Sequence, residues 1–151
     1  MAEDSGTGPV VVAGVDGSAE SIAALSWASR YAAATGGTVR AVLAWHYPAA
    51  AGLAPVGVAP DAVREETERV MGAQLADAIG KAIPDSAAAA AVEAKLAYGH
   101  PAEVLIDESR HADLLVVGSR GHGAFTGMLT GSVSVHCVNH AECPVVVVRN
   151  R

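Results

Sequence analysis

The residues best suited to chemistry lie in one stretch: Gly118-Ser119-Arg120-Gly121-His122 at its start and Gly131-Ser132-Val133-Ser134 at its end. Gly118 and Gly121 have two residues between them; nine more separate Gly121 from Gly131, which Ser132 follows. Glycine has no Cβ, so backbone N–H groups there can approach phosphate oxygens closely. Ser132 is expected to open a helix, whose free N–H groups and positive dipole end attract anions. The hydroxyls of Ser132 and Ser134 and the guanidinium of Arg120 would add donors to the same oxygens. The stretch follows an apolar run and precedes a helical one. It therefore reads as a strand–loop–helix phosphate cradle without the Walker lysine. The competing reading is a loop whose glycines merely turn the chain; its placement between strand and helix favours the cradle.

Asp16 is the second candidate. It closes the apolar run Val10–Val15 and, if the strands are parallel, shares a sheet edge with Gly118. A carboxylate facing phosphates is repulsive unless a divalent cation intervenes or it hydrogen-bonds a ribose or base. Mg2+ suits that job, since it takes one or two carboxylates plus phosphate oxygens. The alternative is an Asx-type turn at the strand end, with Gly17 in the turn and Ser18 capping the next helix.

Other candidates carry less. His122 would reach a γ-phosphate or else stand exposed in its loop. His136 and His140 have the spacing of a metal pair but lack the glutamate of an HExxH motif. Trp45 and Tyr47 either border a base or, the better reading, pack against a proline-rich loop. Cys137 and Cys143 are too few for a disulfide framework and read as reduced, packed thiols. No Ser/His/Asp or Cys/His arrangement for nucleophilic catalysis stands out.

The elements that must position these residues alternate. A strand over Val10–Val15 shows no alternation, as expected for burial on both faces. A helix from Ala19 to Thr35 carries Ile22, Leu25, Ala28 and Ala32 at helical spacing and ends at Gly36-Gly37. Thr38–Trp45 reads as a second strand. His46–Pro60, with three prolines, reads as a loop. A helix begins near Asp61, with Val63, Val70, Met71, Leu75, Ile79 and Ala82 as its apolar stripe. Ala87–Ala91 is a loop or frayed helix before a third strand near Val92–Ala97. Gly99-His100-Pro101 is a turn into a helix buried through Val104, Leu105 and Ile106. Asp113–Gly118 is a fourth strand, Ser132–His140 a helix, and Cys143–Arg149 a fifth strand. Strands separated by helices imply parallel pairing with right-handed crossovers, hence one doubly wound α/β domain with helices on both faces. Ligands of such sheets sit beyond the carboxyl ends of the strands at the switch point. That rule points to Asp16-Gly17-Ser18 and the loop after Gly118, though spacing alone does not give the strand order.

Composition limits the function classes. The chain has 151 residues, a net charge of −6 and 51% hydrophobic residues, with mean hydropathy +0.31. That length suits one domain with a real core. An acidic chain without a Lys/Arg cluster lacks the footprint for a nucleic-acid backbone. No apolar run approaches the roughly 20 residues of a membrane-spanning helix. Met1–Gly8 is acidic and polar, unlike a signal peptide, and is expected to be a disordered leader to a domain over 9–151. A cytoplasmic protein is the resulting expectation. Four consecutive valines, Val145–Val148, would leave a sticky sheet edge unless a second copy paired with it, which points to a homodimer.

The Val-Val-Ala-Gly-Val-Asp16-Gly-Ser opening, Gly99-His100-Pro101-Ala102, the run from Asp113 to Ser134 and the Cys143-Pro144-Val-Val-Val-Val ending resemble the universal stress protein family. The glycine loop resembles its ATP-binding subclass, whose Gly-x2-Gly-x9-Gly-[Ser/Thr] signature is met by Gly118, Gly121, Gly131 and Ser132. The resemblance implies a five-stranded parallel sheet in order 3-2-1-4-5, of the adenine nucleotide alpha-hydrolase-like kind, with ATP across the first and fourth strands. It further implies Asp16 near the ribose or phosphates, the backbone of Ala44 at the adenine edge, and Val133 and Ser134 completing the phosphate side. A homodimer through the last strand is implied too. The resulting expectation is an ATP- and Mg2+-binding regulator or sensor of stress, at most slowly hydrolysing ATP or phosphorylating itself. The alternatives are a nucleotide hydrolase and a cyclic-AMP-binding module.

Overall fold

A computed structural model describes residues 8–46, 60–120 and 131–150. The leader up to Thr7, Tyr47 and most of the proline-rich loop, and the loop residues Gly121 and His122 lie outside the described residues. The chain runs β1 (Val10–Gly14), α1 (Ala19–Thr35), β2 (Thr38–Trp45), α2 (Pro60–Ala82), α3 (Ser86–Ala90), β3 (Glu93–Tyr98), α4 (Pro101–Ser109), β4 (Leu114–Gly118), α5 (Ser132–His140) and β5 (Val145–Val148). The strands form one sheet in the order β3-β2-β1-β4-β5, and each neighbouring pair is parallel.

The apolar runs of β1 and β4, and of β2 beyond Arg40, are explained by cover on both faces. Val11, Ala13, Val39, Ala41, Leu43, Leu114 and Val116 share one core with Leu25, Ala28, Leu75 and Ile79 of α1 and α2. The alternate residues Val12, Val42, Leu115 and Val117 share the other with Val104 and Leu105 of α4 and Cys137 of α5. Period-2 alternation thus sends successive side chains into two separate cores.

Helix ends follow their sequence signals. The Ser18 hydroxyl accepts from the Ser21 N–H at 3.2 Å at the start of α1, and Gly36 ends it in the left-handed region, φ 70°. α2 starts at Pro60, one residue before Asp61, as a proline tolerates at a first helical position. The Asp85 carboxylate caps α3, accepting from Ala87 and Ala88 N–H groups at 2.9 and 3.1 Å. The 87–91 stretch is therefore mostly helix.

Several expectations change. Val70 is 44% exposed and leaves the α2 stripe, while the expected Leu75, Ile79 and Ala82 are buried and Ala78 joins them. Only the carboxyl-terminal half of α2 lies flat on its core. Ile106 is only half-buried, whereas Glu108 and Ser109 of the same helix are buried. Glu108 is satisfied there by Arg40 at 3.1 Å and Lys95 at 2.5 Å, and Arg40 also meets Glu93 at 3.0 Å. This ion cluster ties α4 to β2 and β3. β3 and β5 are shorter or shifted relative to their apolar runs because the sheet ladder, not hydrophobicity, sets where a strand ends.

Candidate functional site

β1 lies between β2 and β4, so the switch point falls at its carboxyl end. Gly14 pairs with Val42 on one side and Ala13 with Val116 on the other. Continuing both registers by residue puts Asp16 level with Ala44 and with Ser119. Three positions singled out from sequence, drawn from three adjacent strands, thus meet at one height on one edge.

Asp16 is held by a turn. Its Oδ1 accepts from the Ser18 N–H at 2.9 Å and from the Ser18 hydroxyl at 2.5 Å. Gly17 between them has φ 83°, a conformation that glycine takes without cost. The Asx-turn reading of Asp16 is therefore present in the structure, and it fixes the carboxylate on the edge. Ser18 is used throughout: its N–H and hydroxyl donate to Asp16, its hydroxyl accepts from the Ser21 N–H, and its carbonyl accepts from the Ser21 hydroxyl and the Ile22 N–H, each at 3.0 Å.

Gly118 is needed for a reason the sequence did not disclose. A Cβ there would lie 2.7 Å from the Glu20 Cβ and 2.8 Å from the Glu20 carbonyl carbon. The end of β4 is thus pressed against the first turn of α1, and a second acidic residue, Glu20, comes onto the Asp16 edge. Ser119 is buried. Its N–H donates to the Val148 carbonyl at 2.8 Å and its carbonyl accepts from the Gly131 N–H at 2.5 Å. The Ser134 hydroxyl, also buried, donates to the carbonyls of Gly131 at 2.8 Å and Ser119 at 3.3 Å. Ser119 and Ser134 therefore close the base of the glycine loop, and the Ser134 hydroxyl hydrogen is spent on that closure. Among sequence signals only the three-residue step from Gly131 to Ser134, the spacing of a capping residue and its partner, hinted at it.

Gly131 is the cap residue of α5 and offers no side chain to its N–H groups. The first intrahelical bond runs from the Val135 N–H to the Gly131 carbonyl at 3.0 Å. The Ser132, Val133 and Ser134 N–H groups accordingly have no partner within the helix. They form the positive end of α5 beside Ser119, a donor set that fits an anion. Ser132 is exposed at that opening, Val133 half-buried, and Arg120 exposed. Ala44 is half-buried and faces the α4–α5 core.

The remaining candidates separate from this edge. Trp45 is buried and meets Tyr98 edge-on, ring centres 5.0 Å apart. His136 and His140 lie together on α5, centres 5.4 Å apart, and both are exposed. Cys137 and Cys143 are free. Burial pushes the Cys137 thiol up to about 11, and burial also raises Cys143. Both thiols are thus held toward the protonated, poorly nucleophilic form. Among the described residues no helix is long and apolar enough to cross a membrane.

The model of the universal stress protein family matches residues 9–149. The chain belongs to the universal stress protein family. A universal stress protein of Mycolicibacterium smegmatis is 36% identical over 141 residues, covering 93% of this chain and 46% of its own length. The chain thus spans about half the length of the curated relatives it matches. A universal stress protein solved in complex with cAMP is 28% identical, covers 95% of this chain and 98% of its own, and has a TM-score of 0.68. A universal stress protein family protein of Arabidopsis thaliana with AMP bound has a TM-score of 0.60 at 22% identity, over 95% of this chain and 92% of that one. In this universal stress protein chain the same sheet order carries the edge built by Asp16, Ala44, Ser119 and the start of α5.

Proposed function

We propose that this protein binds an adenine nucleotide, ATP in the first instance, as a nucleotide-dependent regulator in stress response. The observation that carries the reading is the register of β1 with β2 and β4, which, continued, brings Asp16, Ala44 and Ser119 to one level of the switch point beside the α5 N–H groups that have no partner within the helix. Solved relatives bearing cAMP and AMP support it. The phosphates would lie on the N–H groups of Ser132, Val133 and Ser134 and within reach of Arg120. Gly118, Gly121 and His122 would line the same loop. The adenine edge would meet the Ala44 backbone. Gly17 and Ser18 hold Asp16 toward the ribose or phosphates.

Mg2+ fits the donor chemistry, since Asp16 holds a hard carboxylate on the edge where phosphate charge would gather, with Glu20 in the adjoining first turn of α1. Bound Mg2+ would neutralise phosphate charge; the chain's own part is to hold the carboxylates and screen the loop base from water. The Ser18 hydroxyl rests on the Asp16 carboxylate at 2.5 Å, but that pair serves the turn and the α1 cap, so the reading puts regulation ahead of turnover. Slow ATP hydrolysis or self-phosphorylation would need only a positioned water or hydroxyl. A cytoplasmic homodimer joined along β5 completes the proposal.

Calorimetry with ATP, AMP and cyclic AMP tests it. Gly121→Val and Gly131→Val put side chains where the phosphates would lie, and both should abolish ATP binding. Undiminished affinity in both folded variants sinks the reading. The cAMP-bound relative favours one second reading, a cyclic-AMP module; tighter binding of cyclic AMP than of ATP would select it.

A further inference from the structure

His46 and His100 are remote in sequence, yet the β2–β3 pairing brings them to one place. Trp45 pairs with Tyr98, and each histidine lies just beyond its strand. The Gly99 N–H donates to the Trp45 carbonyl at 2.8 Å, tying the backbone immediately before both. Gly99 holds φ 142°. His100 is the cap residue of α4, with Pro101 next, and its side chain makes no capping hydrogen bond. Its imidazole is therefore not consumed by the helix it precedes. The two ring centres are 4.6 Å apart with planes inclined by 43°, and both residues are exposed.

Imidazole nitrogens bind d-block ions at about 2.0–2.1 Å, which puts the ion about 3.2 Å from each ring centre. Two rings on one ion then have centres about 4.5 Å apart for right-angle ligation and about 5.2 Å for tetrahedral ligation. The observed 4.6 Å separation lies within that range, so one ion can reach both rings, and Cu2+ heads the affinity order for nitrogen ligands. Both side chains face solvent, so rotation about their own bonds is enough to turn one nitrogen of each toward a shared ion. The fixed backbone keeps the pair together before the ion arrives, which lowers the ordering cost of chelation.

We propose that His46 and His100 form a two-imidazole site for a late first-row divalent ion, with Cu2+ the most tightly bound of the series, on the carboxyl edge of β2 and β3. The ion keeps open positions for water or for an anionic group on the same edge. The site stands independently of the nucleotide reading, since neither histidine belongs to the phosphate cradle.

Cu2+ titration of the full chain, followed by calorimetry and electron paramagnetic resonance, tests it. The variants are His46→Asn, His100→Asn and the double change His136→Asn/His140→Asn, which removes the competing pair on α5. Nitrogen couplings from two imidazoles are expected in the unmodified protein and in the α5 double variant. His46→Asn and His100→Asn should each weaken binding about tenfold, because a chelate becomes a single contact. A loss of about threefold or more in both supports the assignment. A smaller loss in either, or loss of the tight site in the α5 double variant, overturns it. Circular dichroism checks each fold. Should either single variant unfold, the spectrum of the α5 double variant decides: two imidazoles support the site, one or none overturns it.

Discussion

Single atoms decide the tightest points of this molecule. Adding a methyl at Gly118 drives it into Glu20 backbone atoms, 2.8 and 3.0 Å away, and backbone cannot rotate aside. Gly118→Ala should therefore cost about 1–3 kcal/mol of stability, measured by urea denaturation. Glu108 is the other residue-scale case. Burial alone would raise its carboxyl, but hydrogen bonds and charge from Lys95 and Arg40 outweigh burial and hold it below the ordinary range. A carboxyl lowered in the folded state stabilises fully above its unfolded value, and that contribution is lost as pH falls through the folded value. Stability should thus decline from about pH 5 downward. Glu108→Gln should cost about 1–3 kcal/mol at pH 7 and flatten that decline, read from denaturation midpoints across pH. An unchanged acid slope would assign the decline to other carboxyls.

At the scale of elements, α5 and its preceding loop act as one unit. Ser134 joins the end of β4 to the start of α5 through two carbonyls. Ser134→Ala removes both bonds and should cost about 1 kcal/mol, while leaving the Ser134 N–H in place. Faster amide exchange at Ser119 and Gly131 than at β1 would check that the loop base has loosened. The helix N-termini differ in a way that matters for ligands. Ser18 caps α1 with its own side chain, whereas α5 receives no side-chain cap. Of the two helices that start at the switch point, α5 keeps all three first-turn N–H groups clear of its cap residue's side chain, whereas Ser18 takes up one of those of α1.

For the molecule as a whole, β5 closes one side of the sheet. The Leu115 N–H donates to the Pro144 carbonyl at 3.0 Å, and the Ser119 N–H to the Val148 carbonyl at 2.8 Å. By alternation Val146 also faces β4, so the backbone groups of Val145 and Val147 face outward. Under the proposed dimer, those groups would pair with a second copy. Val147→Pro removes one outward N–H and spares the β4 ladder, so light scattering should change from twice the chain mass to the chain mass. A monomer before substitution, or a dimer after it, would count against pairing through β5.

Local pattern was enough for α1 over Ala19–Thr35, β2 over Thr38–Trp45 and α5 over Ser132–His140, whose bounds match the structure. Spacing and capping residues fix such elements because they act within a few positions of the backbone. The glycine loop and Asp16 stood out for the same reason: chemistry-bearing residues adjoined clear strand ends. Val70 was misplaced because a helix stripe says which face is apolar, not how far along its length a neighbour covers it. Burial of Glu108, the pressing of Gly118 on Glu20 and the meeting of His46 with His100 depend on side chains from different elements. Sequence by itself determined the elements, their alternation and the residue types at the switch point. Which of those residues touch was decided by tertiary structure alone, because contact depends on strand register and helix docking, and neither leaves a local signal.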